Sequence, residues 1–221
     1  RMEQDTMKRK NAYAKMIEAL ELKEIDILVG TQMLAKGLDF RHVSLVGVMN
    51  ADNLLNFPDF RAHERSFQLL QQVAGRAGRT KKRGKVIIQT FNPYHQILQQ
   101  VSVNNFEEMY DHQLEDRRQF KYPPFYKLIK LTLKHRDFAL VDKASHWLTQ
   151  VLERGLAPHV LGPVSPSVGR IRNLYLKNLL IKMPQEQSPV KTKAYINKAL
   201  QRFSAQKEFA RIQVVIDVDA L

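Results

Sequence analysis

Residues 25–40 read IDILVGTQMLAKGLDF, and this stretch decides the class of fold. Its first five residues form a short, mainly apolar run with β-branched side chains, which is typical of a buried strand. A Gly-Thr turn follows at Gly30 and Thr31, and the residues after it favour the start of a helix. A strand, a turn and a helix in this order form the edge at which a parallel sheet binds its ligand. The stretch therefore predicts an α/β fold with a parallel, doubly wound sheet.

A second stretch, residues 71–79, reads QQVAGRAGR and fits the pattern Q-x-x-G-R-x-G-R. A guanidinium group is planar, keeps its charge near neutral pH and matches phosphate oxygens with paired donors, so two fixed arginines suit a triphosphate. The glycines, Gly75 and Gly78, are expected to let the backbone turn tightly beside the arginines. The alternative interpretation is a basic surface turn that continues into residues 80–84.

These two stretches resemble motifs V and VI of the second RecA-like lobe of superfamily-two helicases. Further similarity lies in four short segments, which are ILVGTQMLAKG (27–37), DFRA (59–62), ER (64–65) and VIIQT (86–90). With them the chain is similar to the PriA family of replication-restart DNA helicases, also called primosomal protein N-prime. The similarity is strong to about Thr90 and looser beyond it.

The resemblance implies a nucleotide site between two RecA-like lobes. It makes Arg79 the arginine finger, which stabilises charge on the transferred phosphoryl group, with Arg76 as its catalytic partner. Gln72 is expected to orient an arginine or the nucleotide, and Gly37 and Asp39 to lie near the ribose and phosphates. The alternatives are that one arginine only ties the turn to the lobe, and that Asp39 belongs to a surface loop.

The resemblance also implies contacts between this lobe and the DNA strand that is translocated. Thr31 and Gln32 are expected to hold phosphates without reading sequence, and Lys36 to do the same unless it is only a solvated lysine. Arg61, Glu64 and Arg65 also match the family pattern, but their spacing does not indicate a chemical role. For them the expected outcome is an ion pair of Glu64 with one of the two arginines on a helix surface.

Composition favours a polyanionic partner. The 221 residues include 35 Lys and Arg against 22 Asp and Glu, a formal net charge of +13, and residues 125–221 hold 16 of the basic residues but only seven of the acidic ones. The absence of cysteine fits a reducing cytoplasm, and no apolar run approaches the roughly 20 residues of a membrane span. The seven histidines show no metal-ligand spacing, so no metal site is expected in this chain.

Periodicity predicts the elements of the first domain, residues 1–121. We expect helices at 8–22 and 61–74, strands at 25–29 and 43–49 and a buried strand at 85–90, a loop at 50–60, and one or two connecting helices within 93–119. The prolines of residues 122–125, YPPF, end these helices and set the domain boundary.

The second domain, residues 122–221, has the predicted order strand, helix, strand, strand, helix, strand, which is the ferredoxin-like α+β plan. We expect strands at 126–134, about 160–168, 174–182 and 212–218, with helices at 138–153 and 190–203. Lys130 and Lys134 would lie on a basic face of the first strand, opposite an apolar one.

Basic residues of this second domain are the candidates for binding DNA. They comprise Lys130 and Lys134 on the strand face and Arg170 and Arg172 at the tip of a predicted hairpin. The alternative for any single lysine is a solvated charge. The family resemblance implies that the domain also binds the acidic tail of single-stranded DNA-binding protein, for which Lys191 and Lys193 are the candidates.

The chain contains neither a G-x-x-x-x-G-K-[ST] loop nor an acidic motif for Mg²⁺, so we expect a fragment whose upstream half holds most of the ATP and Mg²⁺. The fragment alone is not expected to hydrolyse ATP, and the zinc module of the family is expected to lie outside it. The resemblance implies a cytoplasmic, nucleoid-associated 3′ to 5′ DNA helicase that acts on forked or single-stranded DNA with primosome proteins. The rival interpretations are a non-catalytic docking module and another superfamily-two translocase or RNA helicase.

Overall fold

The computed structural model of the chain describes residues 12–31, 43–75, 77 and 84–219. The chain divides into two compact units, Arg1–Leu114 and Glu115–Leu221. The predicted domain division between residues 121 and 122 stays a prediction. Within the described ranges, none of the helices combines the length and the apolar character that crossing a membrane requires.

The first unit alternates helices with two short strands. Its elements are α1 (Ala12–Glu21), β1 (Leu45–Val48), α2 (Asp52–Leu55), α3 (Ala62–Ala74), β2 (Lys85–Ile88) and α4 (Gln96–Ser102). A further helix, α5 (Phe106–Gln119), contains the division between the units. The predicted helices at 61–74 and within 93–119 are confirmed. Helix α1 lies inside the predicted 8–22 helix, whose first four residues are outside the described ranges.

Strands β1 and β2 pair in parallel, with Leu45 opposite Lys85 and Val48 opposite Ile88. Parallel strands need a crossover connection, and here α2 and α3 provide it. The strands and helices enclose a core whose buried members are Ala51, Leu55, Phe67, Leu70, Ile97, Leu98, Val101 and Met109. Gln71 ties α3 to α4, because its Nε2 donates to the Val101 carbonyl at 2.9 Å.

Three predictions for the first unit need correction. Residues 25–29 do not form a strand; only Gly30 makes a bridge, and the side chains of Ile27 and Val29 are 79% and 55% exposed. The predicted loop at 50–60 contains the one-turn helix α2. Strand β2 is not buried on both faces, since its residues alternate between exposed and half-buried. An apolar run becomes a buried strand only where neighbouring strands and a covering layer meet it, and local composition does not supply either.

The second unit is an antiparallel sheet with two long helices. Its elements are β3 (Tyr126–His135), α6 (Phe138–Leu156), β4 (Val160–Val164), β5 (Arg170–Ile171), β6 (Leu174–Pro184), α7 (Pro189–Ser204) and β7 (Gln213–Val218). The strand order is β4-β6-β3-β7, and the short β5 pairs with β6. The predicted order of elements is confirmed, except that the strand expected at about 160–168 is shorter and is followed by β5.

One face of this sheet is apolar because alternate residues of β3 point toward the helices. Leu131 and Leu133 are fully buried, as is Leu179, which lies opposite Leu131 on β6. Helices α6 and α7 complete the core with Val141, Leu148, Leu152, Ile196 and Phe203. The apolar face predicted for β3 is therefore confirmed.

Side-chain caps fix where the two helices begin. Asp137 accepts a hydrogen bond from the Leu140 amide at 3.2 Å, which satisfies a donor at the start of α6. Ser188 occupies the same position before α7, where Pro189 is the first helical residue. Both signals are local, which is why the sequence locates these starts to within a residue.

Candidate nucleotide and nucleic-acid sites

Several residues of the predicted nucleotide and DNA sites lie outside the described residues. They are Gln32, Lys36, Gly37, Asp39, Arg76 and Arg79. Of the same predicted sites in the first unit, Thr31 and Gln72 are described, and both are exposed. Their predicted roles therefore stay predictions.

Helix α3 carries the chain toward the arginine motif. The Gly75 amide donates to the Gln71 carbonyl at 2.9 Å, and the Ala77 amide donates to the Ala74 carbonyl at 3.3 Å. Gly75 has φ −67° and ψ −4°, an ordinary right-handed conformation that any residue adopts. The expectation that Gly75 supplies a tight turn through its conformational freedom is wrong, and Gly78 lies outside the described residues.

Gln72 lines an open groove of about 610 Å³ between α2 and α3. The other residues of the groove are Asn53, Leu54, Phe57, Ala62, Arg65, Ser66, Gln68 and Leu69. Their side chains combine amides and a guanidinium with apolar groups. The groove follows α3 for about two turns before Gln72, so the helix that leads to the motif is accessible along this side.

The DFRA segment at the start of α3 is held by a carboxylate. Asp59 accepts from the Arg61 amide at 2.8 Å and from Nη1 of Arg65 at 2.8 Å. Arg61 stacks on the ring of Phe60, with 4.5 Å from its guanidinium carbon to the ring centre. Arg65 therefore pairs with Asp59, and Glu64 accepts from Nε2 of Gln68 at 3.2 Å. The ion pair expected for Glu64 stays a prediction. These contacts order the start of α3.

Sequence reasoning missed a polar cluster at the end of β2. Asp52 accepts from the Thr90 hydroxyl at 2.9 Å and from the Phe91 amide at 3.1 Å, so it fastens α2 to the chain after β2. The rings of His63 and His95 lie edge to face, 5.3 Å apart. Burial lowers the pKa of His95, the charge of His63 lowers it further, and Asp52 opposes both. No local signal in the sequence brings these residues together.

The face of the second sheet that carries Lys130 and Lys134 is mixed rather than uniformly basic. Both lysines are half-buried. The register places Asp217 opposite Lys130 and Gln213 opposite Lys134 on β7. The prediction of a basic face is therefore wrong in part, because strands β6 and β7 add apolar and acidic side chains that the β3 sequence does not show.

Lys182 is a buried cation on this same face, opposite Leu128. Its Nζ donates to the Phe120 carbonyl at 2.6 Å and lies 3.6 Å from the ring centre of Tyr122. Burial lowers the pKa of this amine, and the charge of Lys121 lowers it further. The ring offers a cation–π contact that offsets part of the cost of burial. Lys182 thus holds the segment before β3 against the sheet.

The predicted hairpin is confirmed, but only Arg172 lies at its tip, because Arg170 belongs to strand β5. Arg172 and Asn173 have φ values of 48° and 65°, and they form the two-residue turn between β5 and β6. Arg170 donates to the Asn173 side chain, and its guanidinium carbon lies 4.8 Å from the ring centre of Tyr175. Arg172 is exposed at the tip.

Lys191 and Lys193 are exposed near the start of α7, whose first turn contains no acidic residue. Their predicted role with an acidic partner stays a prediction. Among the described residues, no three His, Asp or Glu side chains lie together in a way that could hold a metal ion.

A parallel strand pair, its crossover helices and the helix leading to the arginine motif are features of a RecA-like helicase lobe. Residues 3–81 match the family described as Helicase conserved C-terminal domain. The chain thus contains a helicase C-terminal domain within a mixed α/β structure. Residues 118–221 match a second family, described as Primosomal protein N C-terminal domain.

Relatives that match most or all of this chain agree with both family matches. The chain is 40% identical to the Replication restart protein PriA of Bacillus subtilis over 99% of this chain and 27% of the relative. It is 42% identical to the protein of the same name from a Synechocystis species, over 83% of this chain and 22% of the relative. For that of Chlamydia pneumoniae the identity is 32%, over 100% of this chain and 29% of the relative.

The chain belongs to the PriA family of replication restart proteins. It spans about a quarter of the length of these relatives. The resemblance inferred from the sequence is confirmed.

Proposed function

We propose that the chain forms the C-terminal part of an ATP-dependent 3′ to 5′ DNA helicase that recognises stalled or branched replication forks and restarts replication through primosome assembly. The observation that supports this most is the match over 99% of the chain to a protein named Replication restart protein PriA. The activity is proposed for the intact protein, in the cytoplasm and at the nucleoid.

The residues of this chain suit one side of a nucleotide site. Two arginines, Arg76 and Arg79, follow the exposed Gln72 by four and seven residues in the sequence, and guanidinium groups match phosphate oxygens. The sequence contains no phosphate-binding loop of the G-x-x-x-x-G-K-[ST] type, so residues upstream of this chain would hold ATP and Mg²⁺. Bound ATP supplies the phosphoryl group that is transferred to water. Arg79 would stabilise the charge that develops on it, with Arg76 as partner.

Gln72, Gly37 and Asp39 complete our proposed nucleotide contacts. Gln72 would orient an arginine through its amide, and Asp39 would accept from a ribose hydroxyl. For the strand that is translocated, we propose contacts from Thr31, Gln32 and Lys36.

In the second unit, four cations are our candidates for the DNA backbone, namely Lys130, Lys134, Arg170 and Arg172. We propose Lys191 and Lys193 for the acidic tail of single-stranded DNA-binding protein. We also propose that residues 122–221 form a ferredoxin-like domain. Its element order and its antiparallel strand order β4-β6-β3-β7 support that proposal.

Hydrolysis of ATP by an intact protein that joins this chain to its upstream lobe tests the catalytic assignment. In the presence of forked DNA, Arg79→Ala is expected to lower turnover by about 10³-fold while DNA binding is retained, because an arginine finger acts only on developing charge. Arg76→Ala is expected to lower turnover less. Arg154→Ala, which removes an exposed arginine at the end of α6, serves as the control and should match wild type.

Unchanged hydrolysis in both motif variants would contradict the proposal. The docking-module interpretation would then be preferred. A preference for RNA over forked DNA would instead favour another superfamily-two enzyme.

A further inference from the structure

Two aromatic rings and two arginines lie together where the β5–β6 hairpin meets the start of α6. We call Phe138, Arg170, Arg172 and Tyr175 the hairpin patch. The rings of Phe138 and Tyr175 meet edge to face with centres 5.5 Å apart. The guanidinium carbon of Arg170 lies 4.8 Å from the ring centre of Tyr175, and Arg172 is exposed in the adjoining turn. The hairpin therefore brings guanidinium groups close to an aromatic surface.

Phe138 is exposed although it is large and apolar. Its side chain is 50% exposed, and it is not a member of the core cluster that includes Phe203 and Phe209. Tyr175, in contrast, packs against that core. Ile171, in the same hairpin, is also 50% exposed. Tyr175 thus supports the Phe138 ring, and half of the Phe138 side chain stays exposed to solvent.

The charges around the hairpin patch favour an anionic ligand. The nearby acids already have partners: Asp137 caps α6, and Asp142 lies 2.7 Å from Lys177. Lys177 in turn lies 5.2 Å from the ring centre of Phe138. Residues 125–221 hold 16 Lys and Arg against seven Asp and Glu. The arginines therefore face little local competition for phosphate groups.

We propose that the hairpin patch binds single-stranded DNA, with a base stacked on Phe138 and the flanking phosphates held by Arg170 and Arg172. An aromatic ring accepts any base, because every base has a π face, and cations beside it follow the backbone. The site is therefore sequence-tolerant. The inference rests on the proposed DNA-binding role of the two arginines and adds Phe138 and Tyr175 as the stacking platform.

Anisotropy titrations of a fluorescein-labelled oligothymidylate with the 221-residue chain, over a range of salt concentrations, test this proposal. Phe138→Ala is expected to weaken binding about tenfold, within the range reported for the loss of one stacked base, and to leave the salt dependence unchanged. Arg172→Ala is expected to weaken binding and to reduce the slope of log K against log salt by about 0.7, the value for one phosphate contact on a single strand.

Two further variants separate stacking from damage to the fold. Phe120→Ala removes a ring of the same unit that is 58% exposed and lies outside the hairpin patch, so affinity should not change. Phe138→Trp keeps an aromatic face, should bind at least as tightly as wild type, and should show quenching of its indole fluorescence by DNA. Circular dichroism of each variant should match wild type.

Wild-type affinity for Phe138→Ala, or an equal loss for Phe120→Ala, would overturn the stacking proposal. If Arg172→Ala still weakened binding, the DNA-binding role of the arginines would stand. Failure of the wild-type chain to bind the oligonucleotide even at low salt would overturn both, and a protein partner would then be the better explanation of the exposed ring.

Discussion

At the residue scale, His95 shows how burial gives a side chain a consequence for pH. Its Nδ1 accepts from the Ile97 amide at 3.2 Å at the start of α4, which requires an unprotonated nitrogen. Burial and then His63 lower its pKa below the ordinary value of 6.5. The unfolded chain therefore binds a proton at a higher pH than the folded chain does. Stability is expected to fall as pH decreases from about 6.5 through the lowered pKa.

His95→Asn tests this expectation. Asparagine keeps an acceptor that suits a helix N-cap but does not titrate. Between about pH 7.5 and about pH 5.5, the wild type should lose more thermal stability than the variant. Equal losses in both proteins would contradict the assignment of this pH dependence to His95.

Sequence predicts single residues well only where the signal is local. The composition of residues 169–173 predicts a hairpin turn, and the structure narrows it to Arg172 and Asn173. The contacts of His95 and Lys182 were not predicted, because each depends on partners brought together by tertiary packing, such as Asp52 and the Phe120 carbonyl. The groove at Gln72 was missed for the same reason.

At the scale of elements, the contact between α6 and α7 depends on a glycine. A Cβ on Gly155 would lie 2.6 Å from Cε2 and 2.8 Å from the hydroxyl of Tyr195, too close for any real contact. That hydroxyl donates to the Val151 carbonyl at 2.7 Å. The missing side chain thus lets the Tyr195 ring cross α6.

Gly155→Ala is expected to destabilise the second unit by about 1–3 kcal/mol. Alanine improves helix propensity by about 1 kcal/mol, but displacement of the Tyr195 ring and loss of its hydrogen bond outweigh that gain. Thermal or urea unfolding measures the change. Gln150→Ala, at an exposed position of α6, is the matched control and should have little effect. A stabilised Gly155→Ala protein would show that propensity dominates.

Elements were predictable where hydrophobic periodicity and end signals agree. Helices α6 and α7 have both an apolar stripe and a capping residue, and their predicted bounds are close to the observed ones. Residues 25–29 have the composition of a strand, but within the described part of the chain they do not pair with a neighbouring strand, so the prediction of a strand there is wrong. Helix α2 is a single turn and has no period to detect.

At the scale of the whole molecule, the two core clusters share no residue. Trp147, the one tryptophan in the sequence, packs against Phe203 and Phe209 in the second unit. Its fluorescence therefore reports the unfolding of that unit.

Leu148→Ala is expected to lower the stability reported by Trp147 by about 2–5 kcal/mol, because Leu148 is fully buried and its truncation leaves a cavity. Leu70→Ala makes an equivalent change in the first cluster and is expected to leave the Trp147 signal near wild type. Denaturant titrations followed by fluorescence give both values. Equal decreases would mean that the chain unfolds as one cooperative unit.

The buried amine of Lys182 has a further consequence for chemical labelling. Acylating reagents modify amines that they can reach, and this one lies under Tyr122 and Phe120 while most other lysines of the second unit are exposed or half-buried. In a mass-spectrometric footprint Lys182 should be among the last sites acylated. Early modification would then report, in the unmutated chain, that the segment before β3 has detached from the sheet.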